Sequence, residues 1–305
     1  MSRILLPIPQ HHTGMLAAGL PTQNTYENLD RRADETILAL SASFTRTRRI
    51  YHQLLGDPRM IAHWGMSNYL TVGKLNYNDH GPIHARVTAA YAMQLIRYLH
   101  AADVQLDVIN SNTGGIDDAC LVTLTAALMH DVGNSLHRTG HEAMSVIMAQ
   151  PVLSELLAPI YEDVEQRTLI QNFVLSAIQC HDMNPPPLYM EGAIVAVADG
   201  CDMTMGRARM PFDLGKLDIH AVSALAIEDV RIEASAKGPM PVEIEVIMNN
   251  SAGIFQVEET LVRKVNATPL KNHVRVSICA INPREPFEKR IITNAVTENG
   301  RLKPV

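Results

Sequence analysis

The sequence predicts a mainly α-helical protein with a small α/β unit at its C-terminal end. Helical periodicity runs almost unbroken from Asp30 to about Gly238, and several segments are apolar nearly all round, as buried helices are. Further on, two alternating segments, "VEIEVIM" and "VRVSICA", flank the helical "GIFQVEETLVRKV", which predicts a β-α-β unit, and "FEKRIIT" is a candidate third strand. With 305 residues, 47% of them hydrophobic, the chain can bury one large core and a smaller one. We therefore predict an irregular arm at 1–30, an all-α domain at 31–237 and an α/β domain at 238–305.

The first helices of interest end at, or carry, ionisable residues. Prolines and glycines interrupt the arm at the N-terminus. In "HARVTAAYAMQLIRYLH", helical spacing places His84 on the buried face. The next segment, "DDACLVTLTAALMHD", is apolar almost all round and predicts a central helix that ends at His130 and Asp131.

Further helices follow the central one. In "RTGHEAMSVIM", Thr139 as N-cap and Glu142 form a capping-box pattern, which places His141 in the first turn of a new helix. The segments "TLIQNFVLSAIQCHD" and "EGAIVAVADGCDMTM" predict two apolar helices separated by "NPPPL", and "AVSALAIEDVRIEA" predicts one more.

Charge and cysteine content exclude several classes of partner. The net charge is −6 and no extended Lys/Arg cluster occurs, so we expect no nucleic-acid duplex as a partner. The four cysteines lie far apart among apolar residues, which predicts buried thiols in a reducing compartment. The N-terminus has no signal-peptide core, and no apolar run approaches the roughly 18 residues of a membrane span. We expect a cytoplasmic protein with no membrane partner.

Four ionisable residues on otherwise apolar helices form the candidate site: His84, His130, Asp131 and Asp199. Each of them alone is better explained as a hydrogen-bonded core residue. Burying all four is unfavourable unless something neutralises them, and a shared divalent cation does so. Imidazole and carboxylate ligands suit Mn, Fe, Co or Zn better than Ca.

The order of these residues resembles the HD-domain superfamily of metal-dependent phosphohydrolases. The resemblance rests on His84 in "HARV", the doublet His130-Asp131 in "LMHDVG", and Asp199 in "VADGCDM", and it covers about residues 70–235. It implies an HD-type helical bundle that binds one or two divalent metal ions, with Mg possible besides the four metals named above. It also implies a second site in which His141 and His181 hold an ion and Asp131 bridges both ions.

The sequence departs from parts of the superfamily pattern. Many two-metal members carry two consecutive histidines where this chain has His181-Asp182, and one branch carries a lysine where Asn134 stands. The stretch after His181 lacks the GYP tripeptide of the cyclic-di-GMP branch, which disfavours hydrolysis of cyclic-di-GMP.

Three further residues are candidates for contact with the substrate. His80 precedes His84 by one helical turn, a spacing at which phosphodiesterases of the superfamily carry a histidine that protonates the leaving oxygen; the alternatives are an extra metal ligand and a loop residue. Arg207 and Arg209 in "GRARMP" are either a phosphate clamp or a solvated surface pair.

The function that follows is hydrolysis of a phosphate mono- or diester, for example a nucleotide, by a metal-activated water. Asp131 and His80 are the predicted catalytic residues. One alternative is a di-iron oxygenase that resembles myo-inositol oxygenase, which uses the same His/Asp set. The other is a ligand-binding regulator in which the metal core is structural.

The expected partners are a small phosphorylated substrate and a second copy of the chain. The C-terminal unit is too small to be very stable alone, so we expect it to pack on the helical domain or on its twin in a homodimer.

Overall fold

A computed structural model of the chain describes residues 26–204, 223–235, 239–280, 294–298 and 300–304. Helices dominate it, and a small sheet lies at the C-terminal end, as predicted. The helices of the N-terminal part are α1 (Tyr26–Leu40), α2 (Thr45–Gly56), α3 (Pro58–Thr71), α4 (Pro82–Ala101), α5 (Asp107–Asn110), α6 (Ile116–Met129), α7 (His141–Leu157), α8 (Val164–Cys180) and α9 (Met190–Cys201).

Helix α6 is the centre of the bundle. Every residue from Asp118 to Met129 is buried, and α6 contacts α2, α4, α8 and α9. Its N-terminal end is fixed by the Asp118 carboxylate, which accepts hydrogen bonds from the backbone N–H of Gly115 (2.8 Å) and from Tyr161 (2.6 Å). Because α6 is buried on every face, the two residues that follow it lie in the interior of the protein.

The sheet follows the chain order of its strands, β1 to β5, in the described part of the protein. Strands β2 and β3 are parallel and all other neighbours are antiparallel. The strands are β1 (Ile227–Ala234), β2 (Val242–Met248), β3 (Val274–Ala280), β4 (Asn294–Glu298) and β5 (Arg301–Pro304).

A crossover helix joins the parallel pair, so the predicted β-α-β unit is confirmed. This helix, here called α10, consists of Gly253–Gln256, a π-helical stretch at Val257–Val262, and Arg263–Asn266. It packs against α9. The approach is close at Gly200, where a Cβ would lie 3.3 Å from Lys264 Cδ and 3.4 Å from the carbonyl oxygen of Thr260, so a side chain there would displace α10 by a few tenths of an ångström. The α/β unit is therefore docked on the helix that carries Asp199.

The predicted helix at "AVSALAIEDVRIEA" (221–234) is wrong for most of its length. Residues 223–225 are helical, but β1 begins at Ile227 and pairs with β2. A register shift lies between Ile227 and Asp229, so the buried residues Ile227 and Val230 are three apart, a spacing that imitates a helix. The sheet thus begins before the predicted domain boundary at 238.

The predicted N-cap of α7 is also wrong. Gly140, not Thr139, is the N-cap; its φ is +74° and it makes no side-chain capping hydrogen bond. A left-handed conformation suits glycine because it lacks a Cβ, and it starts the helix one residue later than the pattern indicated. His141 does lie in the first turn, as its first residue.

Other predictions meet the structure only in part. Helix α1 starts at Tyr26, inside the predicted arm, and "FEKRIIT" lies outside the described residues. Three cysteines are buried and Cys279 is half-buried, and none of them forms a disulfide. Among the described helices, none is long and apolar enough to cross a membrane.

Candidate metal centre

The structure brings the predicted ligand residues together from five helices. His84 lies in the first turn of α4, His130 and Asp131 directly follow α6, and Asp199 lies near the end of α9. On the other side of Asp131, His141 begins α7 and His181 directly follows α8. All but Asp199 are buried, and the Asp199 side chain is 17% exposed.

Local contacts fix the turns that carry these residues. The Asp79 carboxylate accepts hydrogen bonds from the backbone N–H of Gly81 (2.9 Å) and of His84 (3.0 Å), which holds the start of α4. After the doublet, Gly133 allows the chain to pass against α7: a Cβ there would lie 2.1 Å from the carbonyl oxygen of His141, and its N–H donates to Ser145 Oγ at 2.8 Å. The glycine of "HDVG" therefore permits His141 to approach Asp131.

In the first cluster, site one, the Nε2 atoms of His84 and His130 lie close to each other and to one oxygen each of Asp131 and Asp199. His84 Nε2 lies 3.1 Å from His130 Nε2, 3.3 Å from Asp131 Oδ2 and 3.2 Å from Asp199 Oδ1. His130 Nε2 lies 3.3 Å from Asp131 Oδ2 and 3.7 Å from Asp199 Oδ1. One imidazole nitrogen has a single proton or a single lone pair, so it cannot satisfy three partners at once by hydrogen bonding.

A metal ion fits these distances. Ligand atoms about 2.1 Å from one ion lie about 3.0 Å apart in an octahedron and about 3.4 Å apart in a tetrahedron. Four of the five spacings given for site one, from 3.1 to 3.3 Å, fall in this range, and the fifth, His130 Nε2 to Asp199 Oδ1, is 0.3 Å longer at 3.7 Å. The buried His/Asp cluster can therefore hold a divalent ion.

The second cluster, site two, shares Asp131 with the first. Its other carboxylate oxygen, Oδ1, lies 3.2 Å from His141 Nε2 and 3.6 Å from His181 Nε2, and the two imidazole nitrogens are 3.2 Å apart. Arg138 Nη1 donates to His141 Nε2 at 3.0 Å, and the Asn134 amide donates to Asp131 Oδ1 at 2.8 Å. Site two thus has three ligand groups for an ion, but Arg138 occupies the lone pair of His141 Nε2, so binding of an ion by His141 requires the guanidinium to move away.

Hydrogen bonds to the far nitrogens orient the imidazoles. His130 Nδ1 donates to the carbonyl oxygen of Ala127 (2.7 Å), and His181 Nδ1 donates to that of Ile178 (2.7 Å). A carbonyl only accepts, so Nδ1 carries the proton and the lone pair of Nε2 faces the cluster, which is the tautomer a metal requires.

Asp202 orients the imidazole of His84 in the same way, and this role was not predicted from the sequence. Asp202 Oδ2 accepts from His84 Nδ1 at 2.6 Å, and the carboxylate is buried. Asp202 is the C-cap of α9, three residues after Asp199, and this spacing is the signal that points to it, since residues three apart lie on the same side of a helix.

Electrostatics set the protonation states of the cluster. Burial alone would raise the pKa of Asp131, but the attraction of His130 and hydrogen bonds from three histidines lower it well below its ordinary value. Burial lowers the pKa of His181. For His130, burial is outweighed by Asp131 and Asp199, and its pKa is raised. Ionised Asp131 and neutral His181 are the forms that bind a cation, and a cation would favour the neutral form of His130 as well.

A cleft of about 210 Å³ opens onto the two clusters. Its lining includes Asp131, Arg138 and Asp182 and, from α10, Glu259, Arg263 and Lys264. Lys264 Nζ donates to Asp199 Oδ2 at 2.5 Å. Neither this lysine nor the contribution of α10 was predicted, because nothing local in "VRKVN" distinguishes Lys264 from a surface lysine.

Of the remaining residues, the structure describes His80 and His137. His80 is buried just before α4, lines the cleft, and its ring centroid is 5.7 Å from that of His84. His137, which lies between the doublet and His141, is exposed. Arg207 and Arg209 lie outside the described residues.

Comparison with known proteins identifies the family. An uncharacterized protein of Methanocaldococcus jannaschii is 36% identical to this chain over 242 residues, which is 79% of this chain and 92% of the relative. The chain belongs to the family of this protein. The match covers 242 residues, whereas only 201 residues precede the end of α9. The similarity therefore extends into the C-terminal part of the chain. No family model matches the chain, and no solved structure matches it significantly.

Proposed function

We propose that this protein is a metal-dependent phosphohydrolase with an HD-type helical bundle, acting on a small phosphate mono- or diester. The observation that carries the proposal is the division of Asp131: Oδ2 faces the donors of site one, and Oδ1 faces those of site two. A carboxylate whose two oxygens face different groups of imidazoles is able to bridge a pair of metal ions. Two ions about 3.5–4 Å apart would supply an activated water and neutralise charge on the phosphoryl oxygens.

The protein's own residues have distinct roles in this proposal. Asp131 links the two sites, His84, His130 and Asp199 bind at site one, and His141 and His181 bind at site two. The hydrogen bonds of the far imidazole nitrogens hold the ligands in place before any ion arrives. Preorganised ligands favour binding because little reordering accompanies it.

His80 is the proposed general acid. Its Nδ1 donates to the carbonyl oxygen of Asn78 at 2.6 Å, so Nδ1 is already protonated. Protonation of the ring would therefore add the second proton at Nε2, which is the proton that a general acid would transfer. A histidine in this state can donate it to the departing alkoxide.

The cleft favours a small anionic substrate. Its volume of about 210 Å³, as formed by the described residues, is below the roughly 300–1,000 Å³ of sites for drug-sized ligands. Arg138 and Arg263 both line the cleft, and guanidinium groups match the oxygens of a phosphate. Arg207 and Arg209 remain proposed phosphate-binding residues.

Elemental analysis and a substrate screen test the proposal. The purified protein is depleted of metal, reloaded separately with Mn, Mg, Co, Zn or Fe, and assayed with p-nitrophenyl phosphate and bis-p-nitrophenyl phosphate. We expect two ions per chain and release of nitrophenol that Asp131→Asn abolishes. His137→Ala, an exposed histidine of the same segment, is the matched control and should keep full activity.

Two other outcomes would replace the proposal. Two irons with oxygen-dependent turnover of an alcohol or a phosphonate would favour the oxygenase. Bound metal without any turnover, together with loss of folding in Asp131→Asn, would favour the regulator with a structural metal core.

A further inference from the structure

One buried cation links the α/β unit to the candidate metal centre. Lys264 on α10 is 8% exposed, and its Nζ lies 2.5 Å from Asp199 Oδ2. A buried ammonium is rare unless it is paired, because removing it from water is unfavourable. An apolar residue at position 264 would avoid this desolvation penalty, so packing alone does not explain the lysine.

The contact divides the Asp199 carboxylate between two partners. Oδ1 faces His84 Nε2 at 3.2 Å and His130 Nε2 at 3.7 Å, while Oδ2 faces the ammonium of Lys264. With one oxygen held by Lys264, the carboxylate cannot turn both oxygens toward site one. It is fixed as a ligand that offers a single oxygen.

The position of Lys264 is itself fixed from two sides. Helix α10 is the crossover between the parallel strands β2 and β3, so the sheet holds both of its ends. Its contact face lies on α9 at Gly200, the residue after Asp199, with Thr260 and Lys264 in direct contact there. The π-helical stretch Val257–Val262 directly precedes the segment that carries Lys264, and such stretches are frequent at functional sites.

We propose that Lys264 is a positioning residue of the metal centre: it holds Asp199 as a single-oxygen ligand and makes the α/β unit part of site one. The inference rests on the proposed metal centre but not on the hydrolysis of a phosphate ester. It gives the α/β unit a role in metal binding although none of the proposed ligands lies in it.

Replacement of Lys264 by methionine tests the proposal, because methionine has a similar length and no charge. Outer-shell partners of metal ligands typically contribute 10- to 100-fold to metal affinity, so we expect Lys264→Met to weaken the binding of one ion by about this factor. The Co²⁺-loaded variant should also show a changed visible absorption spectrum, since a released carboxylate alters the coordination of site one. A purely structural lysine would change neither the affinity nor the spectrum of the folded protein.

The experiment uses the metal-free full-length protein and measures Co²⁺ and Mn²⁺ affinity by competition with a chelator. Lys271→Met, which removes an exposed lysine from the same unit, is the matched control and should bind like the wild type. Lys264→Arg keeps the charge and should recover part of the lost affinity. In an Asp199→Asn background, Lys264→Met should have no further effect, because the lysine acts through that carboxylate.

Each result supports or overturns the inference. Affinity within twofold of wild type with an unchanged spectrum overturns it, and so does a gain in affinity, which would show that Lys264 repels the ion rather than positioning its ligand. If Lys264→Met does not fold, Lys264→Gln, which retains an N–H donor, is measured by the same criteria. Failure of the wild type to bind any metal would instead refute the proposed function.

Discussion

The turn after the His-Asp doublet allows a prediction whose magnitude follows from the structure. In Gly133→Ala, the new Cβ would lie 2.1 Å from the carbonyl oxygen of His141 and 2.6 Å from the backbone nitrogen of Ser145. Ordinary carbon contacts are about 3.5–4.0 Å long, so the turn and the start of α7 must separate by about 1.4 Å. Both neighbours are backbone atoms, so no side-chain rotation relieves the contact.

This displacement should affect both the stability of the protein and the binding of an ion at site two. Overpacking of this kind typically destabilises a protein by about 1–3 kcal/mol. His141 Nε2 lies 3.2 Å from Asp131 Oδ1, and a metal site tolerates about 0.2 Å of error in its ligand distances. A displacement of α7 several times larger should therefore remove the ion of site two and leave that of site one, which shares Asp131 but has no ligand on α7.

Thermal unfolding and metal content measure the two effects. Gly133→Ala should lower the unfolding midpoint by several degrees and retain one ion per chain. Gly65→Ala is the matched control, since Gly65 is exposed on α3 with nothing within 4 Å, and alanine should stabilise the helix there by about 0.5–1 kcal/mol. A Gly133→Ala protein with two ions and the wild-type midpoint would refute the reasoning.

Three further predictions concern contacts around the site and in the bundle. Asp202→Asn should weaken the ion of site one by about 10- to 100-fold in chelator competition, because the ring of His84 loses its orienting carboxylate. Gly200→Val should lower the unfolding midpoint and the metal affinity together, since a Cβ there already meets α10 at 3.3–3.4 Å; an unchanged affinity would show that α10 can move away without consequence. Asp57→Ala removes the N-cap of α3 and should destabilise the protein by about 0.5–2 kcal/mol. Hydrogen bonds from Arg59 lower the pKa of Asp57 in the folded protein. The stability lost in Asp57→Ala should therefore be complete from neutral pH down to the ordinary pKa of an aspartate, and should shrink as the pH falls through the lowered pKa of the folded state. Urea unfolding at several pH values measures this dependence.

The helical bundle could be predicted because its signal is local. Helix α6 is apolar on every face, so the sequence alone shows that it is buried and that His130 and Asp131 follow it into the core. The same argument holds for Asp199, which follows a run of buried apolar residues on α9. An ionisable residue in such a setting indicates a site because burial without a partner is unfavourable.

The sheet was harder to predict because its irregularities interrupt the periodic signal. The register shift in β1 puts two buried residues, Ile227 and Val230, at a spacing typical of a helix. Strands β4 and β5 are short, with five and four residues, and too few alternations occur in them to be distinguished from a loop. In both cases the strand is defined by its neighbour, which the sequence does not show.

The two aspartates of site one show what the sequence could and could not predict. Asp131 divides its oxygens between two groups of histidines, and all of these lie on helices whose apolar patterns are visible in the sequence. Asp199 divides its oxygens between site one and Lys264, a residue 65 positions away on another unit, in a segment with no distinguishing pattern. Each of these carboxylates contacts a different group through each of its two oxygens. Asp131 thereby links the two clusters, and Asp199 links the first cluster to the α/β unit. A change in the docking of α10 on α9 is therefore expected to act first on Asp199, and on site two only through Asp131.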